Sequence, residues 1–556
     1  MSNGSSRDDA PIFGFMGARS DIVLTVVRRV LAETRDPLIT LNDAAYWETK
    51  RLEGARSPNE QRELAEWQRL ARAIGRMSDG ERRERLEVIV KRMAWDVAGK
   101  FDPRVYQVST RLLPPLVTAL LSPRELATSP RRLLSLDSLR DRVQVEGPLE
   151  KLRALAAKGT LVHVPTHLSN MDSIVFGYAL ELAGLPPATY GAGKNLFTNP
   201  VLSFFMHNLG AYRVDRRIRH ELYKSVLKTY SCVLLERGYH SLFFPGGTRS
   251  RSGGVERRLK LGLVGSAHEA YVRTLQAGRE RRVFFVPSTI NYLITLEAET
   301  LIADYLSEAG KGRFIIDDDE STRFSRLFSF TRKLFDMNAS LVIRFGEPLD
   351  PFGNPVDEAG RSYAAGRVVD PASYVKSQSG EVVLDAERDA QYARELAARI
   401  VESYHRDTIA LSTHAVAAAC FAELRKASPS GDLFTVLRQR DHVVPRDDLA
   451  KATLALRDRL LELERRGQAR LGGVFRKASG GDAVERAVRA FAGYHTSAVL
   501  RPRTDGVAIA DPNLVFYYQN RLAGHGLAWD TLAGPRPELP PLTEGMAADG
   551  AAGAAS

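Results

Sequence analysis

Residues 160–173 read Thr160-Leu-Val-His-Val-Pro-Thr-His167-Leu-Ser169-Asn-Met-Asp172-Ser173. The run Thr160 to Val164 is short, mostly apolar and rich in β-branched residues, which predicts a buried strand, and Pro165 stops it. His167 is therefore expected in a loop at the C-terminal end of a strand. Working outward, Ser241-Leu-Phe-Phe244, Val283-Phe-Phe-Val286 and Ser340-Leu-Val-Ile-Arg-Phe345 have the same texture. Helical patterns lie between them, over 221–237 and 262–277. This alternation across 146–350 predicts an α/β domain with a mostly parallel central sheet flanked by helices. In such sheets ligands bind where strands end and loops begin.

The flanks read differently. Residues 1–20 are expected to form a flexible leader. Residues 21–145 read as a helical N-terminal region, in which Ile22, Val23, Val26, Val27 and Val30 show the three-four spacing of an amphipathic helix. Pro114-Pro115 is expected to break or cap a helix there. Residues 351–383, rich in Gly, Pro and Ser, read as a linker. A second helical region is expected over 384–533, with 450–466 its clearest amphipathic stretch. Residues 534–556 are rich in Pro, Gly and Ala and read as a disordered tail. A chain of 556 residues is long enough for roughly two to four domains.

The formal net charge is +11, which favours an anionic partner. Nucleic acid is disfavoured: the aromatic-basic interleaving of single-strand binders is absent, and so is any DNA-binding motif. The two cysteines, Cys232 and Cys420, stand far apart, so they form no disulfide framework or zinc spacing; a reducing compartment is the expectation. Met1 to Pro11 lacks the basic start and apolar run of a signal peptide. No stretch reaches the ~18 uninterrupted apolar residues of a spanning helix. The expectation is a peripheral protein on the cytoplasmic face of the cell membrane, meeting an anionic lipid surface. The run Asp317-Asp-Asp-Glu320 reads as an exposed loop, and no metal is expected.

Four segments carry chemistry. In the first, the His167 imidazole can accept a hydroxyl proton near neutral pH. Asp172, five residues on, can fold back to hold the ring's tautomer and balance the imidazolium. Ser169 belongs to the same loop. In the second, Phe244-Pro-Gly-Gly-Thr-Arg249-Ser-Arg251-Ser-Gly253 also follows a strand. Its glycines, Gly247 among them, allow a backbone to approach an anion. Thr248 adds a hydroxyl, and two arginines two apart offer forked donors to phosphate. The third, Leu209-Gly-Ala-Tyr-Arg213-Val-Asp-Arg216-Arg217, adds cations near the same sheet edge. The fourth, Val286-Pro287-Ser-Thr-Ile-Asn-Tyr292, has a proline read as ending a strand and shaping a pocket wall.

In this order and spacing the four segments resemble the blocks of the glycerol-3-phosphate and lysophosphatidate acyltransferase superfamily. The helical flanks, and Leu514-Val-Phe-Tyr-Tyr-Gln-Asn-Arg-Leu522 near the end, are similar to the long bacterial glycerol-3-phosphate acyltransferase branch. The resemblance implies acyl transfer from acyl-CoA or acyl carrier protein, with the thioester as co-substrate and no other cofactor. The acceptor it implies is glycerol 3-phosphate, with lysophosphatidate as the alternative. His167 and Asp172 would be catalytic, and Arg216, Arg249 and Arg251 would take the phosphate, with Arg213 and Lys194 as further candidates. Backbone donors of the glycine-rich loop would stabilise the oxyanion. Two positions depart from the family. Gly246 stands where the family carries Glu, a change that also makes a non-catalytic lipid-binding relative conceivable. The second block reads Val214-Asp215-Arg216, closer to the lysophosphatidate branch.

Overall fold

The computed structural model describes residues 10–110, 143–194, 200–279, 281–310, 341–428, 432–492, 495–496 and 498–525. Pro114-Pro115, Asp317 to Glu320 and the tail from 534 lie outside the described residues.

The centre is a seven-stranded sheet. Its strands are β1 (Val143–Glu146), β2 (Gly159–Pro165), β3 (Thr189–Gly193), β4 (Ala211–Val214), β5 (Ser241–Leu242), β6 (Arg282–Tyr292) and β7 (Leu341–Phe345), in the order β1-β7-β6-β2-β5-β3-β4. Every pairing is parallel except β6 with β7. The sheet is thus mostly parallel, with helices on both faces. All seven residues of β2 are buried, as a strand covered on both faces must be. Its side chains alternate between two cores. Leu161 joins Leu155, Phe176, Phe284 and Val286 on one face. Val162 and Val164 join Leu235, Val264, Ala267 and Phe285 on the other. The helices Glu221–Glu236 and Leu261–Gln276 fall within a residue of their predicted bounds.

Pro287 does not end a strand. It sits inside β6, opposite Val164 of β2. Phe285 exchanges two hydrogen bonds with Leu349 on the β7 side, where the Pro287 carbonyl accepts from the Gly346 N–H. Ser288 faces β2 instead, its carbonyl accepting from Thr166 N–H at 3.0 Å. The missing proline donor therefore falls on the side where the chain bends away, and the β2 ladder stays intact.

The flanking regions are more structured than their composition suggests. A helix begins at Phe15, within the expected leader, and both Ile12 and Phe15 are buried. The predicted stripe Ile22, Val23, Val26, Val27 and Val30 is fully inside. It packs with Tyr212, Leu222, Val226 and Tyr230, so the N-terminal helices lean on the β4 side of the sheet. β1 straddles the expected boundary at 145/146, so the sheet begins three residues before the expected α/β domain, and it pairs with β7. The expected linker contains an antiparallel hairpin, Ser362–Ala364 with Arg367–Val369, and buries Phe352, Val356 and Val375. The C-terminal region is largely helical, from Ala386–Asp407 to Pro512–Gln519, with short strands between. Its core merges with Leu293, Ile294, Ala298 and Ile302, just beyond β6.

Three buried histidines, His163, His240 and His414, are each pushed down to about 3, chiefly by burial. Their ordinary value is about 6.5. The unfolded chain therefore binds more protons than the folded one between these values. The stability held by the neutral rings is complete above about pH 6.5 and is lost as pH falls toward 3. Both ring nitrogens of His163 lack a partner among the described residues, and its ring packs on Phe176 and Phe345. His163→Leu is accordingly predicted to gain about 2 kcal/mol on the wild type between pH 7.5 and pH 5, measured by urea unfolding. Parallel stability curves would contradict the burial argument.

Candidate active site

β2 is flanked by β5 and β6, so the loops leaving all three lie side by side at one sheet end. The loop after β2 carries His167. It is tied to β6 at its root, because the Thr166 hydroxyl accepts from Ile290 N–H at 3.1 Å. The loop after β5 carries Phe244, Gly246, Gly247, Thr248, Arg249 and Arg251.

His167 Nδ1 lies 2.8 Å from Asp172 Oδ2. Asp172 is the first residue of the helix Asp172–Leu182 and is fully buried. The same Oδ2 accepts the N–H groups of Leu168 at 2.6 Å and Ser169 at 2.9 Å. Its Oδ1 accepts the Tyr292 hydroxyl at 2.7 Å. Two backbone donors and a phenol thus converge on this carboxylate at a helix N-terminus. An ionised carboxylate only accepts, so Nδ1 carries the ring proton and donates it. Nε2 keeps its lone pair. The His167 ring stacks on Phe244 with centroids 4.2 Å apart, and its side chain is 15 % exposed. Carboxylate and aromatic face together fix the ring's rotation.

The cleft beside the ring is lined by His167, Thr248, Arg216, Arg249 and Arg251, with Gly191 and Gly193 from β3 as its floor. The three arginines differ in state. Arg249 is buried against Glu297 at 3.4 Å. Arg251, about half exposed, meets Glu308 at 2.6 Å. Arg216 is exposed and has no ion-pair or hydrogen-bond partner among the described residues.

Other predicted residues are not brought to this cleft. Arg213 pairs with Asp96 at 3.2 Å, and Lys194 lies 3.4 Å from Asp215. These carboxylates hold both cations beside the cleft rather than in its lining. Pro287 lies within the sheet. Ser169 is buried: its hydroxyl accepts from Met171 N–H at 3.2 Å, its own N–H serves Asp172, and its side chain also interacts with Tyr292 and Glu297. Gly247, at φ +77°, occupies the left-handed region that a turn of this loop requires. Its N–H is taken by the Phe244 carbonyl and that of Ser250 by the His167 carbonyl, so neither is an oxyanion donor.

Sequence reading missed several contributors. Glu297 accepts from Asn170 N–H at 3.0 Å, and burial pushes its pKa up. Glu256 accepts from His167 N–H at 2.6 Å. Neither has a local pattern to announce it. Tyr292 had one: a phenol in an apolar strand needs a buried partner for its hydroxyl.

This combination sets a histidine–carboxylate pair at the sheet end of an α/β domain, beside a cleft lined by three arginines. The family model "Acyltransferase" matches residues 142–290, the segment that holds β1 to β5 and most of β6. Glycerol-3-phosphate acyltransferases align with the chain from Aeromonas hydrophila (33 % identical over 202 residues), Xanthomonas campestris pv. campestris (32 % over 202) and Pseudomonas paraeruginosa (28 % over 209). These alignments cover 36–37 % of this chain and 21–23 % of those relatives, so the chain matches less than a quarter of their length. The solved 1-acyl-sn-glycerophosphate acyltransferase of Thermotoga maritima aligns with 54 % of this chain and 90 % of its own, at 17 % identity and a TM-score of 0.25, too low to argue from. Over residues 142–290 the chain is thus similar to the Acyltransferase family model, and about a third of it is similar to glycerol-3-phosphate acyltransferases.

Asp172 is also a stability element. Hydrogen bonds to a buried charge contribute about 1.5–3 kcal/mol each, and removing one partner strands the others. Asp172→Ala is predicted to lose about 3–5 kcal/mol in urea unfolding. A loss below about 1 kcal/mol would contradict the four-donor seat.

Proposed function

We propose that the chain is an acyltransferase that moves a fatty acyl group from a thioester, acyl-CoA or acyl carrier protein, to the 1-hydroxyl of glycerol 3-phosphate. The observation that carries this reading is the His167 ring, locked by a buried Asp172 and lining a cleft with Arg216, Arg249 and Arg251. The phosphate docks on those guanidinium groups. His167 Nε2 takes the hydroxyl proton as that oxygen attacks the thioester carbonyl. Asp172 balances the imidazolium. The tetrahedral intermediate collapses, the C–S bond breaks, and the thiolate receives the proton back from His167. The co-substrate thioester supplies the acyl group, so every proton is accounted for by His167 alone.

A second reading shares this cleft: acylation of the 2-hydroxyl of a 1-acylglycerol 3-phosphate. Val214-Asp215-Arg216 favours it. The acyl chain of the acceptor distinguishes the two, and a panel of acceptors with radiolabelled acyl-CoA decides between them.

The +11 charge further supports association with an anionic lipid surface. No helix among the described residues is long and apolar enough to cross a membrane.

Three outcomes are expected. Purified His167→Ala stays folded and loses about 10²–10⁴-fold in turnover with palmitoyl-CoA, the range of general-base catalysis; near-normal turnover would sink the role of His167. Arg216→Ala, which removes the unpaired cation, raises KM for the phosphate-bearing acceptor at least tenfold, a loss of about 1.4 kcal/mol or more, with kcat within a few-fold; an unchanged KM removes Arg216 from phosphate binding. In liposome flotation the protein rises with phosphatidylglycerol vesicles in preference to phosphatidylcholine vesicles, and equal partition contradicts the electrostatic reading.

A further inference from the structure

The space above Gly246 is occupied from elsewhere in the chain. A Cβ added to Gly246 would lie 3.1 Å from Cγ of Glu256 and 3.5 Å from its Oε1. Glu256 stands ten residues further along the same loop. Its side chain is partly buried, with Oε2 inaccessible, and folds back over the glycine, where Oε1 accepts the backbone N–H of His167 at 2.6 Å. The other backbone group of His167, its carbonyl, accepts from Ser250 N–H at 2.8 Å. One loop therefore grips both polar groups of the His167 peptide backbone. That loop also carries Phe244, on which the ring stacks, and Arg249.

The far side of this carboxylate is unusual. Glu256 Oε2 is buried without a hydrogen-bond partner among the described residues, and so are Nε and Nη1 of Arg521. Arg521 is wholly buried, and its charge favours the ionised form of Glu256. Its Nη2 donates to the Ile290 carbonyl of β6 at 3.1 Å. Arg521, Leu168, Tyr292 and His414 line a closed space of about 10 Å³, room for about one water molecule. A neighbour in sequence, Asn520, donates to the Ser252 carbonyl at 2.9 Å. The C-terminal block 514–522 thus backs the loop and supplies the charge opposite Glu256. A buried carboxylate that spends a strong hydrogen bond on one backbone N–H of a loop histidine has a positional task, since burial pushes its pKa up and disfavours the anion unless the bond repays it.

We infer that Glu256 is a positioning residue for the reaction: seated in the space that Gly246 leaves open, its carboxylate sets the height of the His167 backbone, and with it the distance from Nε2 to the acceptor hydroxyl. This rests on His167 acting as the base. Displacing a reacting group by about 1 Å costs about 100-fold in rate, and the cost falls on kcat, because Glu256 does not line the cleft.

The test uses the full chain. Glu256→Ala is expected to lower kcat about 100-fold while KM for glycerol 3-phosphate and for palmitoyl-CoA moves less than threefold. Glu256→Gln keeps an oxygen that can accept the His167 N–H, and it is expected to recover kcat to within fivefold of the wild type. Gly246→Ala, which keeps the carboxylate but crowds it, is expected to lower kcat by an intermediate factor. The double variant Gly246→Ala/Glu256→Ala should be no slower than Glu256→Ala, because both changes act through one contact. If Glu256→Ala does not fold, Gly246→Ala and Glu256→Gln still decide. Full kcat in Glu256→Ala, equal losses in the Ala and Gln variants, or multiplicative losses in the double variant would each overturn the inference. An active His167→Ala would instead sink the functional reading beneath it, so the two failures are told apart.

Discussion

The site depends on one buried carboxylate. Asp172 accepts from the His167 ring, from the N–H groups of Leu168 and Ser169, and from the Tyr292 hydroxyl. These donors come from one tight loop and from the end of β6. A single anion at the start of a helix therefore fixes the fold of the loop, the tautomer of the ring and the junction between β2 and β6. It cannot be moved for catalysis without also being moved for stability.

The order of the strands supplies everything else. With β2 between β5 and β6, the histidine loop must lie against the loop that follows β5, and that contact is close at several points: Phe244 under the ring, Ser250 and Glu256 on its backbone. β3 then forms the cleft floor and β4 leads to Arg216. The three cleft arginines are graded from buried and paired to exposed and unpaired. Arg249 is paired with Glu297, whereas Arg216 lines the cleft with no ion pair among the described residues. The C-terminal region closes the rear: Tyr518 accepts from Thr295 N–H at 3.1 Å, and Arg521 reaches Ile290. Regions more than two hundred residues apart in sequence thereby share one wall of the site.

What was legible in the sequence follows from the range of each signal. Buried strands and amphipathic helices are local patterns, so β2, the β6 segment, β7 and the stripe from Ile22 to Val30 could be read directly. His167 and Asp172 are five residues apart, and their pairing was legible for the same reason. The short strands β1, β3 and β4 were missed because four or five residues without an apolar run carry too little signal. Pro287 misled, since a proline is allowed inside a strand where its missing donor faces the departing side. Residues 351–383 read as a linker from composition, yet Phe352 and Val375 are buried against the sheet's helices. Lys194 and Arg213 were further candidates for the phosphate, and only the fold reveals Asp96 and Asp215 beside them. Glu256, Glu297 and Arg521 carry no local signal at all, because their partners lie 89, 127 and 231 positions away.

The account's central claim is that a phosphate-bearing hydroxyl compound sits with its phosphate on the cleft arginines and its hydroxyl at His167. A crystal structure of the full chain soaked with glycerol 3-phosphate tests this most directly. The account predicts phosphate oxygens within hydrogen-bond distance of Arg216 and Arg249, and the 1-hydroxyl about 3 Å from His167 Nε2. A phosphate seated on Lys194 and Arg213, with Asp96 and Asp215 displaced and no hydroxyl near His167, would contradict it.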